Sequence, residues 1–502
     1  MKNILVRRSL TFLLALLMLT VSFVSCKKSN ANEGVSSDAT SDAADVTEPE
    51  KETFEYDENG YVKDRIPENI NFKGQKVDML HWKTNGEYVT ETAKDAISSA
   101  LYYRVLNTQE RLNNFISIEY ANGGWDQKND FVTKVYNDVM SGNPHFEIVS
   151  HYSFAAPIGA MYGLYQNLNN VEYVDFEMPW WYSDVKDFSE IDGKVYFATG
   201  DIAANAMKMT ICMFFNADLL DAHGYDVDEF YADVIAGKWT VEMMQTMIKN
   251  TYVDLSKDGT VSDGDFYGLS VPDSPAYDAL FYGANMRIID RNADGSYSLS
   301  RDWSGVKTQT LVEEYKEIIY SQDCIRADGH KSFNEGRSLL ILSYFSYALG
   351  TLKDANYKYG VLPVPKYDEM QTNYGTCPAA TISLYSVTYN CSNADMAGAT
   401  LEALASDGYR NITPAIFEEG LKVKYSESHN DAAVYDIIRE SVMFDIGRLW
   451  GDQIFTSWRH AFGTFRNAIE HQENWMSTVA MTQGPFIECL NNIVNTITAI
   501  DH

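Results

Sequence analysis

The chain has 502 residues and a formal net charge of −30, with 70 Asp and Glu against 40 Lys and Arg. That balance excludes an ordinary nucleic-acid binder, whose phosphate contacts need a basic surface, and works against direct adsorption to anionic lipid. Hydrophobic residues at 45% and aromatic residues at 13% exclude a disordered chain, and the length is enough for two large lobes.

The first twenty-six residues read as an export signal. Lys2, Arg7 and Arg8 form a positive start, and Leu10 to Val24 is almost wholly apolar. The apolar run is short for a membrane span, which needs about 20 residues. Phe23-Val24-Ser25-Cys26 resembles a bacterial lipobox, in which the cysteine is lipidated after cleavage; Phe23 departs from the usual Leu. Residues 1–25 are therefore read as signal peptide and Cys26 as the lipidation site, carrying the chain on the outer face of a Gram-positive-type cell membrane. Residues 26–70 are read as a lipid-anchored linker. Lys27 to Thr53 has no aromatic residue and only two Val, too little apolar surface to order itself. As a flexible coil it reaches about 30 Å, from roughly 5–6 Å times the square root of its length.

The folded part is expected from about Phe72. Lys76 to Trp82 and Phe115 to Tyr120 read as strands, and Phe146 to His151 as a third. Between them Ile97, Leu101 and Val105, then Phe131, Val132, Val135, Tyr136 and Val139, fall at helical spacing. Strand, helix, strand, helix, strand implies a parallel sheet, with ligands at the carboxyl ends of its strands, here Trp82 to Glu87 and Ser150 to Phe154.

Further on, Thr210 to Asn216 is an apolar strand, and Thr240 is placed to cap a helix carrying Val241, Met244, Met247 and Ile248. Ser392 and Asp395 read as a capping box, and Val434 to Trp450 as one long helix. Asp290 to Gly295 reads as a hairpin turn. The six cysteines form no CxxC pair, so neither a zinc site nor a redox motif is supported. Buried free thiols are expected, with a Cys377–Cys391 bridge left open.

Several segments, taken in order, carry a resemblance. They are the lipobox; Met213-Phe214-Phe215-Asn216-Ala217-Asp218-Leu219-Leu220; Gly237-Lys238-Trp239-Thr240; Phe333 to Ser338; Tyr359 to Lys366; and Pro414-Ala415-Ile416-Phe417-Glu418-Glu419 with Leu421 to Tyr425. Together they resemble the carbohydrate-type extracellular solute-binding proteins of ABC importers, the family that includes maltose-binding protein. The resemblance implies an α/β, two-lobed, periplasmic-binding-protein-like fold with a hinge and an interlobe ligand cleft. One lobe takes 71–200 plus about 375–410; the other takes about 201–374 plus about 411–502. It implies a monomer that captures a carbohydrate, an oligosaccharide on the count of aromatics, and delivers it to ABC transporter permease subunits. No enzyme motif of the GxSxG, HExxH or phosphate-loop type is present. A secreted glycoside hydrolase, which needs only two carboxylates, and a surface-binding lipoprotein without transport are the alternatives.

A sugar site needs aromatic plates for ring faces and planar polar groups for hydroxyls. The candidates are Trp82, Asn85 and Glu87 after the first strand, His151 and Tyr152 after the third, and Asp201 at the first crossover. Tyr344 and Phe345, and Trp458 and Arg459, are added by resemblance. Trp180 and Trp181 are a further possible wall; Trp125, Trp303, Trp450 and Trp475 are expected in the core. Asp254, Ser256, Asp258, Thr260 and Asp265 fit an EF-hand-like spacing with Gly259 at the turn, although Asp265 replaces the usual Glu. One structural Ca2+ and a plain acidic turn both remain open there. Mass spectrometry of the mature amino terminus checks the export reading: it should give a diacylated Cys26, and an unmodified peptide starting elsewhere contradicts it.

Overall fold

The structure, a computed structural model, describes residues 54–84, 86–89, 95–182, 184, 189–421 and 430–502. The signal peptide, Cys26, Asn85 and the stretch from Lys422 to Tyr425 lie outside the described residues. In chain order the strands are β1 (Gln75–Trp82), β2 (Asn114–Ala121), β3 (Ile148–Tyr152), β4 (Ile211–Asn216), β5 (Tyr267–Ser270), β6 (Ile289–Arg291), β7 (Tyr297–Leu299), β8 (Cys324–Ile325), β9 (Ser338–Tyr344), β10 (Tyr359–Leu362), β11 (Ser383–Val387), β12 (Phe455–Thr456) and β13 (Arg459–His460).

The first lobe is built on a sheet of order β11-β3-β1-β2, with β1 parallel to both β2 and β3, and β11 antiparallel to β3. The helices Ala96–Leu112 and Lys128–Val139 make the crossovers, burying Ile97, Leu101 and Leu112 from one and Phe131, Val132, Val135 and Val139 from the other. Most of the apolar spacing read from the sequence is buried in this way; Tyr136 is exposed and Val105 only half-buried. This body begins at Phe54, earlier than Phe72. Val62 and Ile66 are buried, and Asp64 is clasped by Arg111 and Ser406. Burial alone would raise the Asp64 carboxyl, but those bonds hold it below its ordinary range. Residues 54–70 thus pack on the lobe, because they carry apolar anchors that the stretch before them lacks.

The second lobe carries the sheet β10-β4-β9-β5-β8, in which β4 is antiparallel to β9 and β10, and β5 is parallel to β8 and β9. All six residues of β4 are buried, and Asn216 at its end caps the next helix by accepting from the Leu219 amide at 3.1 Å. Thr240 caps the helix Val241–Ile248 through the Met243 amide, and the buried Trp239 donates its indole N–H to the Pro363 carbonyl at 3.0 Å. Two separate sequence motifs thereby become one packed corner.

Three expectations are corrected. Asn393, not Ser392, caps the helix Ala394–Asp407, accepting from the Met396 amide. The expected Val434–Trp450 helix is two pieces, Asn430–Glu440 and Ile446–Leu449, because Val442 leaves the helix to pair with Thr376. Trp180 and Trp181 are a buried clamp and not a ligand wall: both indoles donate to Glu402, each at 2.9 Å. Cys212, Cys324, Cys377, Cys391 and Cys489 are free, so Cys377 and Cys391 do not bridge. The hairpin β6–β7 closes at Asp294-Gly295 as expected.

The chain passes between the lobes along two segments that pair with each other. Ala198 pairs with Tyr385 and Thr210 with Pro378, both antiparallel, while the Ile211 amide donates to Cys377 O and the Ala379 amide to Met209 O. A further tie runs through Asp201, which accepts from Thr413 at 2.7 Å and Arg439 at 3.0 Å. Gly408 lets the chain press here, since a Cβ would lie 2.1 Å from the Asp201 carbonyl. The C-terminal helix Trp475–Thr498 packs Trp475 on Trp303, with ring centres 5.0 Å apart. Its far end returns to the first lobe, where Lys194 donates to the Thr498 carbonyl at 3.0 Å and Tyr196 to the His502 carbonyl at 2.7 Å.

Glu402 gives a stability prediction. Burial, opposed only in part by the indole and Asp175 N–H donors, pushes its carboxyl up from 4.5 to about 8. Between those values the folded chain holds a proton that the unfolded chain has lost, so stability falls as pH rises through that window. Glu402→Leu leaves three N–H donors unpaired and is expected to cost about 2–3 kcal/mol below that window, and less as pH rises through it. Urea unfolding at both ends of the window is the check.

Candidate functional site

The sequence-designated residues separate into two groups. The inward group starts with Trp82, which is 5% exposed and donates its indole N–H to Ser383 Oγ at 2.8 Å. Glu87, 1% exposed, turns away from solvent: Ser383 Oγ donates to it, and His81 Nε2 lies 3.0 Å from its Oε2. Arg104 fixes the same loop by donating to the Glu87 carbonyl at 2.9 Å. His151 is fully buried between Phe131 and Tyr165, and burial lowers its pKa to about 3, so it stays neutral. Asp201 is committed to Thr413 and Arg439; burial raises its pKa and Arg439 opposes the shift. Phe345 packs on Phe417 and Tyr435. These positions hold the fold; they do not present polar edges or plates to an incoming molecule.

The second group lies toward the other lobe. Tyr152, at the end of β3, is buried, with its ring tilted against Trp82 at 5.4 Å between centres and edge-on to Phe154 at 5.7 Å. Burial raises its phenol, which also feels Arg448, Asp452 and Arg466 from the second lobe. Tyr344, half-buried at the end of β9, is raised by burial too and feels Asp273, Asp278, Arg448 and Arg466. The same two guanidiniums therefore act on a tyrosine from each lobe. Trp458 is 55% exposed, with the Arg459 guanidinium 4.3 Å over its ring; Arg459 itself is buried and held by Glu473 at 2.6 Å.

Between these residues lies an aromatic seam that crosses the lobe boundary. Phe154 meets Phe462 at 4.4 Å between ring centres, and Trp125 lies 5.8 Å from Phe154, 5.7 Å from His460 and 6.2 Å from Phe462. Trp125 is 42% exposed and so is not a core residue as expected. Lys128 sits 3.8 Å over its ring and reaches Asp452 at 3.7 Å, while His460 lies 3.3 Å from the same carboxylate. Deeper in, Asp278 accepts from Arg448 at 2.9 Å and Arg466 at 3.2 Å. The seam joins ring faces to hydrogen-bonding groups, the combination that a polyhydroxylated ring requires.

Phe154 closes the strand-end range Ser150 to Phe154 read from the sequence, and Trp125 was expected in the core; Phe462, Asp278, Arg448 and Arg466 were not singled out. Trp125 was within reach: it follows the carboxyl end of β2, a third strand end subject to the rule already applied to β1 and β3. Phe462 and Arg466 follow closely on Trp458. No periodicity marks Asp278, which sits in a short buried helix.

Cavities of about 550 Å³, beside Lys366 and Tyr374, and about 660 Å³, beside Arg287 and Arg301, lie on the second lobe. Neither brings side chains of both lobes together, as the seam does. In the acidic loop, Asp254 accepts from the Lys257 amide at 2.6 Å and the Gly259 amide at 2.8 Å, Asp258 from the Thr260 amide at 2.7 Å, and Asp265 from the Leu255 amide at 3.1 Å and the Ser262 amide at 2.8 Å. Among the described residues no three His, Cys, Asp or Glu side chains converge as a metal group. The loop carboxylates are occupied by their own backbone.

No family model and no curated protein matches the sequence. Solved structures do match the fold. The cyclic alpha-maltosyl-1,6-maltose binding protein of Arthrobacter globiformis has a TM-score of 0.55 at 15% identity, covering 84% of this chain and 100% of that one. The GacH receptor of Streptomyces glaucescens, studied with acarbose, has a TM-score of 0.51 at 15% identity, covering 84% and 99%. An ABC substrate-binding protein of Listeria monocytogenes in complex with cycloalternan has a TM-score of 0.50 at 12% identity, covering 85% and 99%. The fold is that of the two-lobed solute-binding proteins. The α/β architecture implied by the sequence motifs is thus the one observed.

The division into inward and outward residues is testable without a ligand. Phe345→Ala is expected to destabilise the chain by about 3–5 kcal/mol, as a large buried ring does when removed. Trp125→Ala, at a partly open position, should stay within about 1 kcal/mol. Thermal melts of the two variants would refute the assignment if the order were reversed.

Proposed function

We propose that this protein is the solute-binding component of an ABC importer, capturing an oligosaccharide between its lobes and delivering it to a permease. The observation that carries the reading is the seam of Trp125, Phe154 and Phe462, which joins side chains of both lobes beside Tyr152, Tyr344 and the Asp278–Arg448–Arg466 cluster. Flat faces from each lobe can take the two sides of a sugar ring, and lobe closure would bury it. The saccharide-binding proteins that share the fold support the same reading. Capture without chemistry is the proposal over hydrolysis.

Among the described residues no helix is long and apolar enough to cross a membrane. Attachment is proposed through lipid on Cys26, on the strength of the lipobox-like Phe23-Val24-Ser25-Cys26, with the acidic segment that follows as spacer. Lipid would hold the receptor near its permease. A Ca2+ ion in the Asp254–Asp265 loop also stays within the proposal; it would require those carboxylates to turn from backbone amides to the ion. A rise in Tm on adding Ca2+, reversed by a chelator, is the supporting result, and an unchanged Tm removes the ion.

Titrating intrinsic tryptophan fluorescence with a panel of oligosaccharides should give a saturable change, because Trp125 lies in the seam, with the sugar recovered intact. Tyr344→Ala and Trp125→Ala should each weaken binding by about 1–3 kcal/mol while the chain still folds. Release of reducing ends, or unchanged affinity in both variants, contradicts the proposal.

A further inference from the structure

Charge is distributed unevenly along the seam. Asp452 lies 3.7 Å from the Lys128 ammonium and 3.3 Å from the His460 ring, and Asp273 lies 3.6 Å from His330. At Asp278 both partners are permanent cations: one carboxylate faces two guanidiniums, Arg448 and Arg466. Asp278 is only 4% exposed, and its Oδ1 is buried with no hydrogen-bond partner. Both arginines keep their charge at any physiological pH.

The two arginines differ in how fully they are used. Arg448 has a second anchor, donating Nη2 to the Pro378 carbonyl at 2.7 Å. Among the described residues Arg466 has one hydrogen bond, from Nη1 to Asp278 at 3.2 Å, and lies 5.9 Å from the Phe462 ring centre. Its side chain is 17% exposed. A guanidinium with unused N–H groups that still reach solvent thus stands beside the aromatic plate. Guanidinium forks match carboxylates, which accept two parallel N–H bonds. The setting sharpens the point, because a chain of net charge −30 repels anions at long range, and this cation would have to act at contact distance.

We propose that the captured saccharide is acidic, a uronate-containing oligosaccharide, with its carboxylate on the unused N–H groups of Arg466 and a ring on Phe462 and Trp125. Asp278 Oδ1 accepts a hydroxyl of the same sugar. This inference rests on the oligosaccharide reading and adds the chemical class of the ligand.

The test uses the full chain and three probes by calorimetry: a uronate oligomer, the same oligomer with its carboxyls reduced to alcohols, and a neutral glucan of equal length. The uronate oligomer should bind about tenfold or more tighter than its reduced form, the effect of a charge-assisted pair. Raising salt should narrow the gap. Arg466→Gln should erase the gap between the uronate oligomer and its reduced form. If Arg466→Gln fails to fold, Arg466→Lys, which keeps the charge and loses the fork, should shrink the gap without removing it. Equal affinity for acid and reduced forms, or a gap that survives Arg466→Gln, overturns the acidic ligand while leaving saccharide binding standing. Binding of none of the three overturns the oligosaccharide reading itself.

Discussion

A single buried guanidinium holds the centre of the molecule. Arg448 is 4% exposed, and a charge so placed is tolerated only when it is paired and hydrogen-bonded. Its two ends reach in different directions, to Asp278 in the second lobe and to the carbonyl of Pro378 in a crossing segment. Pro378 in turn pairs with Thr210 in the other crossing. Elements far apart in sequence are thereby fixed to one group, and the lobes are joined where their chains run side by side. The same Asp278 carboxylate carries Arg466, so the linkage that shapes the hinge also places charge in the seam.

The seam follows from strand direction. Three parallel strands of the first lobe end on one edge, and Trp82, Trp125 and Phe154 lie at or just after those ends. The second lobe answers with Tyr344 at the end of β9 and with the segment through Phe462. Not every residue at that edge is free to meet a ligand. Glu87 is drawn inward because Ser383 and His81 meet its carboxylate and Arg104 donates to its carbonyl. Along the same edge Trp82, Tyr152 and Phe154 are buried too, while Trp125 stays partly open.

Much of the framework was legible from residue order. The 2.0 and 3.6 periodicities of β1, β2 and the helices between them are set by the face each element buries, and that face is local information. Thr240 declared its helix because a hydroxyl before an apolar run has few other uses. Which side chains turn outward was much less legible. Glu87, His151 and Asp201 look like ligand groups in isolation, and each is taken by partners that come from distant segments. His151 meets Phe131 and Tyr165, and Asp201 meets Thr413 and Arg439. The same distance effect hid Asp278, whose significance depends on Arg448 and Arg466, some 170 and 188 positions away. The break after Glu440 escaped notice because a strand-like pairing with Thr376 overrode a helical apolar spacing.

Amide hydrogen exchange with and without saturating saccharide tests the central claim most directly. Binding at the seam should slow exchange in the segments around Trp125 to Phe154, Tyr344, and Phe455 to Arg466, on both lobes together, since a ligand held by both faces suppresses local opening in each. Protection confined to the second-lobe cavities beside Lys366 or Arg301, or to one lobe alone, would contradict the placement of the site.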